Sequence, residues 1–115
     1  MKTKRAKLIK KADKLFAEIV RKRGRCQRCG KTDNLQCAHL HSRSKKSVRW
    51  NFDNAFCLNA GCHLFWAHQE PVEFVEWAKA MLGEDRYIAL NERARIPQKW
   101  SVNDLKVLIA ELEAL

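Results

Sequence analysis

Apolar residues recur at helical spacing from the start of the chain. Leu8, Ile9, Ala12, Leu15, Phe16, Ile19 and Val20 fall on one face of a helix predicted over residues 4 to 23. Lys and Arg occupy much of the opposite face. Arg21-Lys22-Arg23 fill the last turn, where positive charge complements the helix dipole, and Gly24 is the expected stop. The period then shortens to two. Residues 35–40 read as a strand with Leu35, Cys37 and His39 on one side, after a turn at Asp33-Asn34. Residues 42–49 form a polar basic loop, 51–54 a turn and 55–58 a second strand, and a short helix opens at His63 and runs to about His68.

Helical spacing returns after Pro71, a residue suited to a first helical position. Phe74, Val75, Ala78 and Leu82 make a buried stripe with Trp77 beside it, and Gly83 ends that helix. A short helix from Asp85 to about Arg95 stops before Pro97. Ser101 caps the last helix with Asp104 three residues on, and Leu105, Leu108, Ile109, Leu112 and Leu115 form its apolar face. The pattern predicts one α+β domain over residues 1–115. Its parts are a basic N-terminal helix (1–24), a core of two strands and a helix (25–68) and a helical C-terminal part (69–115).

Charge narrows the choice of partner. Lys and Arg number 23 against 13 Asp and Glu, a net charge of +10. The excess is clustered, which favours a polyanion, and nucleic acid is the commonest one. Two readings of the first helix stay open: it tracks phosphates, or it packs on the domain with a solvated basic face. No apolar run reaches the length of a membrane span, so no membrane partner is expected.

All five cysteines and all four histidines lie between Cys26 and His68. An odd number of cysteines at metal spacing argues against a disulfide scaffold and for a reducing, cytoplasmic setting. Cys26-x-x-Cys29-Gly30 is a knuckle, and the favoured ligand set for a structural Zn²⁺ is Cys26, Cys29, Cys57 and Cys62, with Cys37 in reserve. The second pair is widely spaced, because Asn59 stands where a standard knuckle has Cys. His39 would end the first strand, Asn54 the connecting loop and His63 would open the helix, so two strands and a helix bring all three together. Such groups can take a proton from water and hold a divalent ion against a phosphate oxygen, the parts that phosphodiester hydrolysis needs.

These stretches together are specific. Cys26-x-x-Cys29, residues 35–43 (Leu-Gln-Cys-Ala-His-Leu-His-Ser-Arg), Arg49-Trp50-Asn51-x-Asp53-Asn54-Ala55 and Gly61-Cys62-His63 resemble the HNH endonuclease family. The likeness is nearest to its small zinc-containing members from bacteriophages and prophages. It covers residues 26 to about 68, and more loosely the helices from Pro71 to Leu90, at Trp77 and Leu82-Gly83.

The resemblance implies a ββα-metal (His-Me finger) core and metal-dependent cutting of DNA. It implies His39 as the general base, Asn54 as the residue that orients the loop and the base, and His63 as a ligand of a catalytic Mg²⁺- or Mn²⁺-class ion. Ala38 stands where the family often has a second ligand, Asp or His; either His41 or His68 substitutes for it, or the ion is held by His63, water and the DNA phosphate. Arg43, Lys45, Lys46 and Arg49 would neutralise DNA phosphates with low sequence specificity. Phage-type relatives further imply a packaging or recombination role beside a terminase-like partner in the cytoplasm of a bacterial host. The rival readings are a non-catalytic zinc-ribbon DNA-binding module and an adaptor that docks through its C-terminal helix.

Overall fold

The computed structural model describes residues 2–115. It is α+β: a two-stranded antiparallel sheet between two layers of helix. Helix α1 (Lys4–Arg21) starts at Thr3, whose hydroxyl accepts the Ala6 N–H at 3.0 Å. It ends two residues earlier than the periodicity predicts, and Gly24 leaves it in the left-handed region at φ +90°. Strand β1 (Leu35–His39) pairs with β2 (Ala55–Asn59), with Cys37 opposite Cys57 and His39 opposite Ala55.

Alternation along these strands divides the core in two. Ala38, Phe56 and Leu58 face one layer, made by the turn Cys62–Ala67, α2 (Pro71–Leu82) and α3 (Glu84–Ala94). Phe56, Trp66, Phe74 and Trp77 pack edge to face there, with ring centroids 5.1–6.1 Å apart. Ala55 and Cys57 face the other layer, where Ala12, Phe16 and Val20 of α1 meet Leu105, Ile109 and Leu112 of α4 (Val102–Glu113). The predicted Ser101–Asp104 capping box is present, each side chain accepting the other residue's backbone N–H at 3.0 Å. The apolar face of α4 is therefore covered by this chain's own first helix.

Two segments differ from the sequence expectation. Residues 62–67 form a π-helix, a wider coil that is rare and recurs at functional sites, and its Phe65 is 70% exposed. The basic loop contains a 3₁₀ turn at Lys46–Val48 that buries Ser47 and Val48, and the Ser47 hydroxyl donates to the Arg93 carbonyl at 2.7 Å. No helix among the described residues is long and apolar enough to cross a membrane.

Leu105 is fully buried where α4 docks on α1 and Cys57. Leu105→Ala should cost about 2–5 kcal/mol, read as a fall in the denaturation midpoint. A loss under about 1 kcal/mol would mean that α4 is not part of the folded core.

Candidate active site and metal centre

The knuckle at Cys26 folds through short local bonds. The Cys26 N–H donates to the Lys31 carbonyl at 2.8 Å, and the Gly30 N–H to the Cys26 carbonyl at 2.9 Å. Gly30 sits at φ +81°, a conformation a side chain would resist. The turn aims backbone N–H groups at sulfur, the Cys29 N–H reaching Cys26 Sγ at 3.4 Å. Burial pushes the Cys26 thiol up, but the N–H groups of Asn59, Cys29 and Arg28 outweigh it and bring it down to about 7. The thiolate is the form that binds metal.

The Sγ atoms of Cys26, Cys29 and Cys62 all lie within 4.8 Å of one another. Zn–S bonds of about 2.3 Å place tetrahedral sulfurs about 3.8 Å apart, so this donor set fits a zinc-type ion after a small contraction. Arg28 adds positive charge, its Nη1 donating to Cys62 Sγ at 3.5 Å and its guanidinium lying 3.9 Å from the centre of the Trp66 ring.

The expected four-cysteine set is thereby corrected. Cys57 is fully buried in the opposite core with Ala12, Phe16 and Val20, because strand alternation turns it toward α1. Cys37, directly across from it, points the same way, and burial pushes its thiol up to about 11.

A cavity of about 590 Å³ runs beside β1, whose outer edge has no partner strand among the described residues. His39, His63 and His68 line it, together with Gln36, Ser42 and Arg43 and with Asp13, Phe16 and Arg21 from α1. His39 Nε2 lies 3.2 Å from the Arg49 carbonyl. A carbonyl can only accept, so Nε2 carries the hydrogen and Nδ1 keeps its lone pair. The ring stacks on Phe16 at 5.7 Å. Burial lowers the His39 pKa, which keeps the imidazole neutral and its Nδ1 lone pair unprotonated.

His63 is held the other way round. Its Nδ1 donates to Gln36 Oε1 at 2.8 Å, which leaves Nε2 as the free donor atom, the arrangement that orients metal-ligating histidines. Its pKa is lowered by burial first, then by the neighbouring His68 and His39. The His68 ring centre is 4.4 Å from that of His63.

Asn54 does not line the cavity. It is fully buried, accepting the His41 N–H at 2.7 Å and donating to the carbonyls of His41 and Val48 at 3.0 and 3.1 Å. It staples the exit of β1 to the 3₁₀ turn, so it positions His39 rather than meeting a substrate. His41, expected as a second ion ligand, turns away: its Nε2 donates to Asn91 Oδ1 of α3 at 2.7 Å. Ala38 is 1% exposed against the α2 layer, so β1 supplies no ligand there.

The four basic residues expected on DNA do not act alike. Arg43 lines the cavity. Arg49 is withdrawn, with a side chain only 19% exposed, and grips Asp13 through Nε at 3.0 Å and Nη2 at 2.6 Å. Lys45 and Lys46 are exposed beside a separate hollow near Arg95.

Asp13 and Arg21 were not singled out by the sequence. Asp13 also accepts the Trp50 Nε1–H at 2.9 Å and an Arg43 N–H at 3.4 Å, and so ties α1 to the loop whose carbonyl orients His39. The available signal was spacing: residues 13, 17 and 21 share one helix face beside Phe16. Comparison with family models, with curated proteins and with solved structures finds no match for this chain.

Two outcomes follow. Asn54→Ala leaves the His41 N–H and the His41 carbonyl without a partner and takes from the buried Val48 carbonyl one of its two donors, the Asn51 N–H remaining at 3.1 Å. It should destabilise the fold by at least about 2 kcal/mol, measured by chemical denaturation. His39 has a folded-state pKa below its ordinary 6.5. Its stabilising contribution is therefore complete above about pH 6.5 and is lost as pH falls from there toward the folded value, because the unfolded chain binds the proton more readily. Denaturation midpoints should decline on acidification, and His39→Gln should flatten that slope. An equal slope in both proteins would contradict the assignment.

Proposed function

We propose that this protein is a metal-dependent DNA endonuclease of HNH type, built on a ββα-metal core with a structural zinc. The observation that carries the reading is the pair of oppositely tethered imidazoles on one open cavity. His39 presents Nδ1 and His63 presents Nε2, each held by a bond on its other nitrogen. One is dressed as a base and the other as a ligand.

The chain's own contributions follow in order. Arg43 and Arg21 at the cavity, within a strongly basic surface, neutralise the phosphates beside the scissile bond. Neither reads a base, so sequence specificity is low. His39 removes a proton from water at Nδ1, and the resulting imidazolium keeps its Nε2 bond to the Arg49 carbonyl. Asn54 and Asp13 hold the loop that carries this carbonyl.

His63, with His68 beside it, would hold the catalytic ion, and water and a phosphate oxygen would fill the remaining positions. The ion would offset charge developing on the phosphate and leaving oxygens. Imidazoles without a free carboxylate suit Mn²⁺ or a later transition ion better than Mg²⁺, because the Asp13 oxygens are engaged by Arg49, Arg43 and Trp50. From the sequence resemblance we further propose a phage-type packaging or recombination role, beside a terminase-like partner in a bacterial cytoplasm.

Ala38 favours a second reading, a non-catalytic zinc-ribbon DNA-binding module, since β1 offers no ion ligand at that position. Incubation with supercoiled plasmid separates the two. The endonuclease reading expects nicked or linear product with Mn²⁺, and a loss of about 10²–10⁴-fold in His39→Ala. Plasmid bound yet intact across Mn²⁺ and Mg²⁺ would leave the binding module, and undiminished cutting by His39→Ala would remove His39 as the base.

A further inference from the structure

Five cysteines offer more than enough sulfur for one zinc ion, yet only three converge. The group formed by Cys26, Cys29 and Cys62 has no fourth Cys, His, Asp or Glu among the described residues. Cys57 and Cys37 face each other on the far side of the sheet, and turning either toward the group would require a one-residue slip of the strand pair. His63, adjacent in sequence, spends Nδ1 on Gln36 and borders the cavity instead.

Position 59 explains how the second turn keeps its shape without a thiolate. The Asn59 backbone N–H helps hold the Cys26 thiolate. Its side-chain oxygen accepts the Gly61 N–H at 2.9 Å, and its Nδ2 donates to the Asp33 carbonyl at 2.8 Å. An acceptor at residue i that takes the N–H of residue i+2 is an Asx turn, the oxygen counterpart of a sulfur-capped knuckle. Asn59 therefore preserves the loop that presents Cys62 while its own polar atoms are committed to the backbone.

From this geometry we infer that a zinc ion held by Cys26, Cys29 and Cys62 keeps its fourth coordination position for a ligand from solution: water, displaceable by a small thiol. The inference rests on the metal-centre reading above. Three protein ligands and an open position distinguish a reactive zinc site from a closed structural one. Cys29 is exposed, so the centre meets solvent on that side. Charge agrees as well. Zn²⁺ with three thiolates carries one net negative charge, and the Arg28 guanidinium at Cys62 Sγ balances it while the fourth ligand is neutral. Exchange is balanced: an entering thiol gives its proton to solvent, binds as thiolate, and one water leaves.

The test replaces zinc by Co²⁺ in the full chain and titrates the holoprotein anaerobically with 2-mercaptoethanol. One equivalent of cobalt should bind. Added thiol should raise the sulfur-to-cobalt charge-transfer absorption by about one third, as three thiolates become four, with cobalt content unchanged. Asn59→Cys supplies the missing thiolate from the chain, and its spectrum should start at the higher intensity and ignore added thiol. Asn59→Ser, which keeps an oxygen to accept the Gly61 N–H and removes the amide, should respond as wild type does. One equivalent of cobalt with a wild-type spectrum blind to thiol overturns the inference while leaving the metal centre standing. So does a blind wild type beside a responsive Asn59→Ser, which would make the Asn59 amide the fourth ligand. Failure to take up cobalt removes the metal centre and this inference with it.

Discussion

The register of a strand pair only five residues long decides which groups can meet. With His39 set opposite Ala55 and Cys37 opposite Cys57, these four side chains turn toward α1, while Ala38, Phe56 and Leu58 turn toward α2 and α3. A shift of one residue would exchange the two sets. His39 would then leave Phe16, Gln36 would leave His63, and the unused cysteines would approach the thiolate group. The free outer edge of β1 matters equally, because it lets groups from both faces border one cavity.

Two polar side chains, one buried and one half-buried, hold this arrangement from outside the sheet. Asn54 satisfies three backbone groups of the loop that leaves β1, and Asp13 satisfies donors of Arg49, Arg43 and Trp50. Neither is a reacting group in the mechanism proposed above. They act on His39 through the Arg49 carbonyl, which sets the imidazole's tautomer. Asp13 belongs to α1, so the N-terminal helix is joined to the site by polar bonds as well as by the Phe16 contact. Of the two readings that the sequence left open for it, the fold shows the packed face, with Ala12, Phe16 and Val20 buried against α4.

The paired centres divide the chemistry by donor type. Sulfur gathers at the knuckle, where backbone N–H groups bring the Cys26 thiol down and Arg28 donates to Cys62 Sγ. Imidazole gathers at the cavity, where burial keeps the rings neutral. The π-helix that begins at Cys62 links them, since it carries a thiol of one centre and, one residue later, His63 of the other. An unusual coil at this position fits the demand that adjacent residues serve two sites.

Periodicity, caps and turn residues made the elements legible from the sequence. The stripe of α1, the two short strands, Pro71 at a first turn and the Ser101–Asp104 box all act over a few residues, and the sequence determined them by itself. The Cys26–Cys29 knuckle belongs with them, being one local turn. Tertiary structure alone decided that Cys62 joins that knuckle while Cys57 does not. It also decided that His41 turns to Asn91 of α3 and away from His63, and that Arg49 is spent on Asp13. These outcomes depend on strand register and helix docking between residues some thirty or more positions apart. Spacing along a chain constrains how near two residues can come, but not the face on which a side chain leaves a strand of unknown register.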